Sequence, residues 1–449
     1  MGKKISISNV SGLQVFHLSR FITFLLISII FAKSGLTTTE LGNFEFLLFI
    51  SSIVSYFWLT GLIQSFLPLY NNNAAFPGEK INTEHKSPEI FNAFVLILSF
   101  SILIFALGHI VKHNIYLFDK MSTLPHLDLI LLYILISNPT HLIEYIYLLR
   151  NKSNQIVNYS LLTFSVQLVI VAGPVILGHG IDIAIWGLVI ISAIRFLWLI
   201  ALLKKYAKLT LSLPFLKAHL QLGYPLIIST LLTGSAQYID GMVVALKFDS
   251  QAFALFRYGA KELPLVVMLA TGLHNGLLPE FYNSQKISDA LTSLRRRSRR
   301  LMHALFPASL VLLFFSDFFF PRLFNEDFTR SSDVFMVYLL MITSRLLFPN
   351  TIIIGLKKTK AIMQIAVVSL TINIILSVFL ANHYGLVGVA LGTVLAYLFE
   401  KSTQIVYTYV KLGIKPNRYI PLVAYSIYST LLVLTFVLID RDVIQVFGR

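Results

Sequence analysis

The chain predicts an all-α polytopic membrane protein built as two pseudo-symmetric six-helix lobes, with one additional helix at the C-terminus. Three observations carry this prediction. Hydrophobic residues make up 56% of the 449 positions and charged residues only 13%, against about a quarter charged in soluble domains. Apolar stretches of roughly 20 residues or more, the length that crosses a bilayer as a helix, follow one another across short polar loops. The third is an internal echo, in which Gly61-Leu-Ile-Gln-Ser-Phe-Leu-Pro68 returns as Gly272-Leu-His-Asn-Gly-Leu-Leu-Pro279.

The predicted spans, in order, are 10–33, 42–69, 90–111, 125–149, 156–178, 182–203, 222–246, 252–280, 300–320, 333–355, 361–382, 386–410 and 419–439. The first is a retained helix rather than a cleaved signal, because its apolar run is too long and is interrupted by Arg20. The thirteenth opens on Pro421 and lies outside the repeat. With the N-terminus on the cytoplasmic side, most of the 36 Lys and Arg fall in inner loops. They include Arg150, Lys204, Lys205, the run Arg295, Arg296, Arg297, Arg299, Arg300, and Lys357, Lys358 and Lys360. That bias obeys the positive-inside rule. The net charge of +15 is therefore topological, and no nucleic-acid partner is expected. The 295–300 cluster reads as contact with anionic membrane lipids. With no cysteine, disulfides and thiolate metal sites are excluded.

Spans one and two repeat as spans seven and eight, and Trp186-Gly-Leu-Val189 is echoed by Tyr384-Gly-Leu-Val387. An even number of spans separates equivalent elements, so the two halves point the same way, a recurring plan among transporters. The expected domains are a lobe at 1–204, a cytoplasmic linker at 205–221, a second lobe at 222–411 and an extra segment at 412–449. Span eight is the organising stretch. It is apolar enough to cross a bilayer yet carries Arg257, Lys261 and Glu262 in its first half. On one continuous helix, Arg257, Lys261, Pro264, Met268, Thr271 and Asn275 would share a face. A cation at mid-membrane costs about 2.5–3.5 kcal/mol on insertion scales, so this face should meet protein or water rather than lipid.

These features resemble the lipid-linked oligosaccharide flippases, the polysaccharide-exporter (O-antigen, Wzx-type) branch of the superfamily that also holds multidrug exporters and the lipid II flippase. The resemblance rests on Arg20 in span one, Gly35-x4-Glu40-Leu-Gly42-Asn-Phe44 leading into span two, and Gly61…Pro68 at its end. Asp240 in span seven, Phe256-Arg-Tyr258 opening span eight and Gly385 before span twelve complete it. It covers roughly residues 10–410, and thirteen spans depart from the family's usual twelve or fourteen. It implies two lobes around a central cavity in a bacterial cell (inner) membrane. A polyprenyl-diphosphate-linked oligosaccharide would pass there from inner to outer leaflet by alternating access. Basic residues on spans one and eight line the cavity in relatives, and Arg20 and Arg257 occupy those places.

Arg20, Arg257, Lys261 and Arg345 are accordingly expected to bind the diphosphate, since guanidinium forks match phosphate oxygens and several cations replace lost hydration. Each has a structural alternative as one half of an interhelical ion pair. Asp240 is the best carboxylate for binding H⁺ or Na⁺ during coupling, with a fixed pairing to a span-eight cation as its alternative. Glu45 and Glu262 are further candidates for ion coupling or for a cavity ion pair, and Glu144, with Ser137 and His141 at helical spacing, is a weaker one. Arg195 reads as reaching the inner surface along its stem. Glu400 and Lys401 read as paired or snorkelling, and His17, His141, His274 and His303 as structural or cavity-lining. No residue set has metal-site spacing and no cofactor is expected. No P-loop is present. A multidrug or organic-cation antiporter of the same fold, or a membrane glycan polymerase or ligase acting through loops 112–124 or 321–333, are the alternative functions.

Overall fold

The computed structural model describes residues 9–72, 86–114, 126–234, 236–261, 263–282, 287–356, 358–441 and 443. Most of those residues are helical, with no strand among them. Among the described residues the thirteen predicted spans fall largely on helix, several of them interrupted. Among the described residues, nine helices are long and apolar enough to cross a membrane, or ten if one bent pair counts as a span. The chain divides into two compact units, Met1–Leu231 and Leu232–Arg449.

Unit 1 holds α1 (Asn9–Ala32), α2 (Thr38–Asn72), α3 (Pro88–Asn114), α4 (Leu127–Thr140), α5 (Leu142–Leu149), α6 (Ser153–Ile176), α7 (Ile181–Tyr206) and most of α8 (Leu213–Gly234). A capping box starts α2. The Thr37 backbone N–H donates to Glu40 Oε2 at 2.8 Å, and the Glu40 N–H donates to Thr37 Oγ1 at 3.3 Å. Phe16 of α1 stacks on Tyr159 of α6, with ring centroids 6.2 Å apart, and also meets Phe164. Buried Arg150 donates to the carbonyl of Tyr206 at 3.2 Å, a cation placed at the C-terminus of α7 where the helix dipole favours it.

The segment read as a linker, 205–221, is tied into this unit. Asn92 Nδ2 donates to the Thr210 carbonyl at 2.9 Å, while Asn92 Oδ1 accepts from the Ser212 N–H at 2.8 Å. His219 Nε2 lies 2.8 Å from the Leu62 carbonyl. At Gly61 a Cβ would lie 2.7 Å from the backbone nitrogen of Ile227, so α2 and α8 pack nearly backbone to backbone.

Unit 2 holds α9 (Ala236–Lys247), α10 (Ser250–Gly259), α11 (Pro264–Leu277), α12 (Ile287–Leu323), α13 (Thr329–Leu339), α14 (Ile342–Arg345), α15 (Pro349–Gly355), α16 (Thr359–Leu412) and α17 (Leu422–Asp440). Span eight is not one continuous helix. It stops at Gly259 and restarts with Pro264 in the first turn of α11, because proline offers no N–H and disfavours helix in the residue before it. The single face drawn from Arg257 to Asn275 is thereby divided. Span ten is likewise bent, by 44° between Glu326–Arg345 and Pro349–Gly355.

The 54-residue α16 is a hairpin. Gly385 has φ 58° and ψ −134°, a region open to glycine. Ser369 Oγ donates to the Ala396 carbonyl at 3.1 Å, whereas 27 residues of straight helix would put them roughly 40 Å apart. Spans eleven and twelve are the two arms. Gly388, Gly392 and Ala396 repeat every fourth residue, the small-residue spacing that lets membrane helices approach closely. The C-terminal α17 docks on α12, with Tyr428 stacked on Phe306 at 5.4 Å and its hydroxyl 2.9 Å from His303 Nδ1.

Candidate functional site

Each unit gathers polar side chains around one buried carboxylate. In unit 1 the gathering point is a break in span four. Proline at 139 ends α4, the Thr140 hydroxyl donates back to the Ser137 carbonyl at 2.6 Å, and α5 restarts after His141. The break brings His141 and Glu144 onto a cavity of 40 Å³, lined also by Arg20 of α1, Tyr133 of α4, Tyr159 of α6 and Arg195 of α7. Glu144 is 3% exposed and lies 3.5 Å from His141 Nδ1. His17 feels the charges of Glu144, Arg20 and His141, and Arg195 those of Arg20 and Glu144. Arg195 does not rise to the surface. Its guanidinium donates to Gln167 Oε1 at 2.8 Å and lies 4.7 Å from the Phe164 ring centroid. Two guanidinium groups, one imidazole and one carboxylate therefore line this cavity, with His17 within electrostatic reach. Arg20 is exposed, so its fork is open to an incoming anion.

In unit 2 the carboxylate is that of Asp240 of α9, buried like that of Asp317 elsewhere in the unit. It accepts hydrogen bonds from the Tyr338 hydroxyl of α13 and the Thr393 hydroxyl of α16. Around it, Asn373 Oδ1 accepts from Ser377 Oγ at 2.9 Å and lies 3.1 Å from Thr393 Oγ1, with the Val389 carbonyl 3.4 Å from Ser377 Oγ. The result is a closed set of oxygens from three helices, of the kind that suits a hard cation or a proton. Asp240 is thus held by at least two hydroxyl donors.

Farther along the second arm of α16, Tyr397 and Lys401 follow Thr393 at one-turn intervals, about 6 Å apart. The Arg345 guanidinium lies 4.7 Å from the Tyr397 ring centroid, a cation–π arrangement. Lys401 interacts electrostatically with Arg345, Glu400 and His274, and His274 Nδ1 is 2.7 Å from Thr351 Oγ1. Lys401 was read as a snorkelling or paired residue. Its i+8 position from Thr393 was the signal that it belongs to the same polar column.

The remaining candidates are spread out. Half-buried Arg257 lies on the last turn of α10. Lys261, two residues beyond that helix, has its Nζ 4.8 Å from the Tyr258 ring centroid and 5.7 Å from that of Phe324. Within unit 2, Lys261 and Arg345 therefore lie against different aromatic groups. Glu45 is buried in unit 1 and accepts a long hydrogen bond, 3.5 Å, from Ser28. Glu262 lies outside the described residues, as does most of loop 112–124. No cluster of three or more His, Asp or Glu suited to a metal occurs among the described residues.

Comparison with known proteins adds the wider context. A family profile described as "Polysaccharide biosynthesis protein" matches residues 78–333. Among solved structures, one titled "Lipid II flippase MurJ, inward closed conformation" superposes with a TM-score of 0.69 at 17% identity, covering 96% of this chain and 93% of that one. A multidrug resistance MATE family transporter of the MOP superfamily, inward-facing, gives 0.62 at 13% identity over 91% and 98%. A MOP superfamily transporter from Pyrococcus furiosus, whose title notes reverse polarity of the binding pocket, gives 0.53 at 14% identity over 91% and 97%. At these identities the likeness establishes the fold. No curated protein sequence gives a significant match.

Proposed function

The chain belongs to the polysaccharide biosynthesis protein family, and on that footing we propose that it is a flippase, not an enzyme, for a polyprenyl-diphosphate-linked oligosaccharide. It would carry this lipid from the inner to the outer leaflet of a bacterial cell membrane by alternating access, with its N-terminus cytoplasmic. The observation that carries the reading is the surplus of guanidinium over carboxylate in the unit 1 cavity, where Arg20 and Arg195 face the single Glu144. A diphosphate needs such donors once it leaves bulk water. An exporter of organic cations would call for the opposite polarity. In this reading Arg20, Arg257, Lys261 and Arg345 engage the diphosphate, and the oxygen cage of Asp240 takes up H⁺ or Na⁺ to drive the cycle. Glu45 and Glu262 have secondary roles in ion coupling. The lipid tail needs no pocket if it stays in the bilayer.

The test is export in cells that depend on this chain. Arg20→Ala and Arg257→Ala should each abolish surface glycan while protein level stays normal, with lipid-linked precursor accumulating on the inner leaflet. Lys at either position should restore part of the export, because charge returns without the bidentate fork. Full export by both Ala variants would overturn the assignment.

A further inference from the structure

Glu144 lies beside the residue assigned to the diphosphate, yet export as described above gives it no task. We propose that Glu144 is a proton-binding site linked to anion binding, so that a diphosphate reaching Arg20 brings a proton onto the Glu144 carboxylate. This rests on the diphosphate reading of Arg20 and adds to it an obligatory co-ligand in unit 1, separate from Asp240.

The geometry supplies the reason. Glu144 is 3% exposed, so water screens its charge poorly. Its compensating groups come from every element packed around it. They are His17 and Arg20 on α1, His141 at 3.5 Å just before α5, and Arg195 on α7. Tyr133 on α4 and Tyr159 on α6 close the wall, and Tyr145 is its neighbour on α5. A diphosphate is larger than the 40 Å³ cavity, so it meets exposed Arg20 from outside and becomes a second anion competing for the same guanidinium groups. Like charges at such range do not both stay ionised. Protonation of Glu144 relieves the conflict and frees the guanidinium forks for phosphate. The bond formed is O–H on the carboxylate. The proton comes from solvent, so each diphosphate bound adds one proton to the protein. When the anion leaves, the proton follows.

Proton uptake by the purified, full-length protein in detergent tests this directly. The probe is farnesyl methyl diphosphate, a diester with two charges that does not itself titrate near neutrality, added in weakly buffered solution with a pH-sensitive dye. Wild type should take up about one proton per diester bound near pH 7, as coupled sites demand. Glu144→Gln should bind the diester with little or no uptake, and Arg20→Ala should lose the linked uptake. Binding by wild type without uptake, or undiminished uptake in either variant, would overturn the linkage while leaving the diphosphate reading intact. No binding at all to wild type would overturn both.

Discussion

Glu144 and Asp240 are both buried carboxylates, one in each unit, and they are kept by opposite company. Glu144 sits among two imidazoles and two guanidinium groups. Asp240 is clasped by the hydroxyls of Tyr338 and Thr393, beside the oxygens of Asn373 and Ser377. A carboxylate among cations is tuned by whatever other anion enters. One clasped by hydroxyls stands among oxygens of the kind that suit a small cation or a proton. The backbones differ in the same sense, since α1, α2, α3, α6 and α7 of unit 1 run unbroken for 24 to 35 residues. Unit 2 breaks its helices at 260–263, between α13 and α15, and at Gly385. The more irregular half is the one with the oxygen cage, as expected where backbone must bend to aim several donors at one point.

The largest effect should come from the turn-rich half. Gly388→Leu puts a Cβ at a position 2.1 Å from the Leu380 carbonyl oxygen, a backbone clash that cannot relax cheaply. It should abolish accumulation of the protein, measured by fluorescence-detected size exclusion. Gly173→Ala, in unit 1 helix with nothing within 4 Å of the new Cβ, should express normally. If both behave alike, the close approach of the α16 arms is not what holds unit 2.

Next in size is Asp240→Ala. It removes the shared acceptor of two buried hydroxyls, at about 0.5–1.5 kcal/mol for each hydrogen bond lost, and thermal unfolding in detergent should register the loss. The milder Asp240→Asn sharpens the contrast between units. Replacing choline by Na⁺ should raise the wild-type melting temperature by a few degrees through ligand linkage, and the rise should vanish in Asp240→Asn but persist in Glu144→Gln. Loss of the response in Glu144→Gln alone would reverse the roles assigned to the two carboxylates.

Tyr338→Phe removes one of the two clasping hydroxyls and should cost about 1 kcal/mol, again read by thermal unfolding. Smallest is Arg297→Ala. Its 3.6 Å contact with Glu280 is exposed on both sides, and such pairs are worth little in water. Its melting temperature should match wild type.

Much of this was legible in the chain because membrane helices announce themselves by apolar length. The spans, the echo at Gly272, and the choice of Arg20 and Asp240 all followed from residue type and depth. The breaks were harder to place. Pro264 was visible, but it was placed inside one continuous helix, not at the start of a second. Arg195 was misread because stem length permits both snorkelling and inward pairing, and only the position of Gln167 on the neighbouring helix decides between them. The polar column below Asp240 needed the hairpin, since sequence spacing cannot show that Asn373 and Thr393, on opposite arms, meet.

The glycine stripe between the arms of α16 has a mechanical consequence. With backbone seated close on backbone at Gly388 and Gly392, little side-chain volume lies between the arms there to yield, and the two arms are packed to move together. Thr393 and Lys401 ride on the second arm about 12 Å apart. Any movement of Thr393 away from Asp240 would therefore carry Tyr397 and Lys401 with it, linking the ion cage to the cations two turns away like a crank on a single shaft.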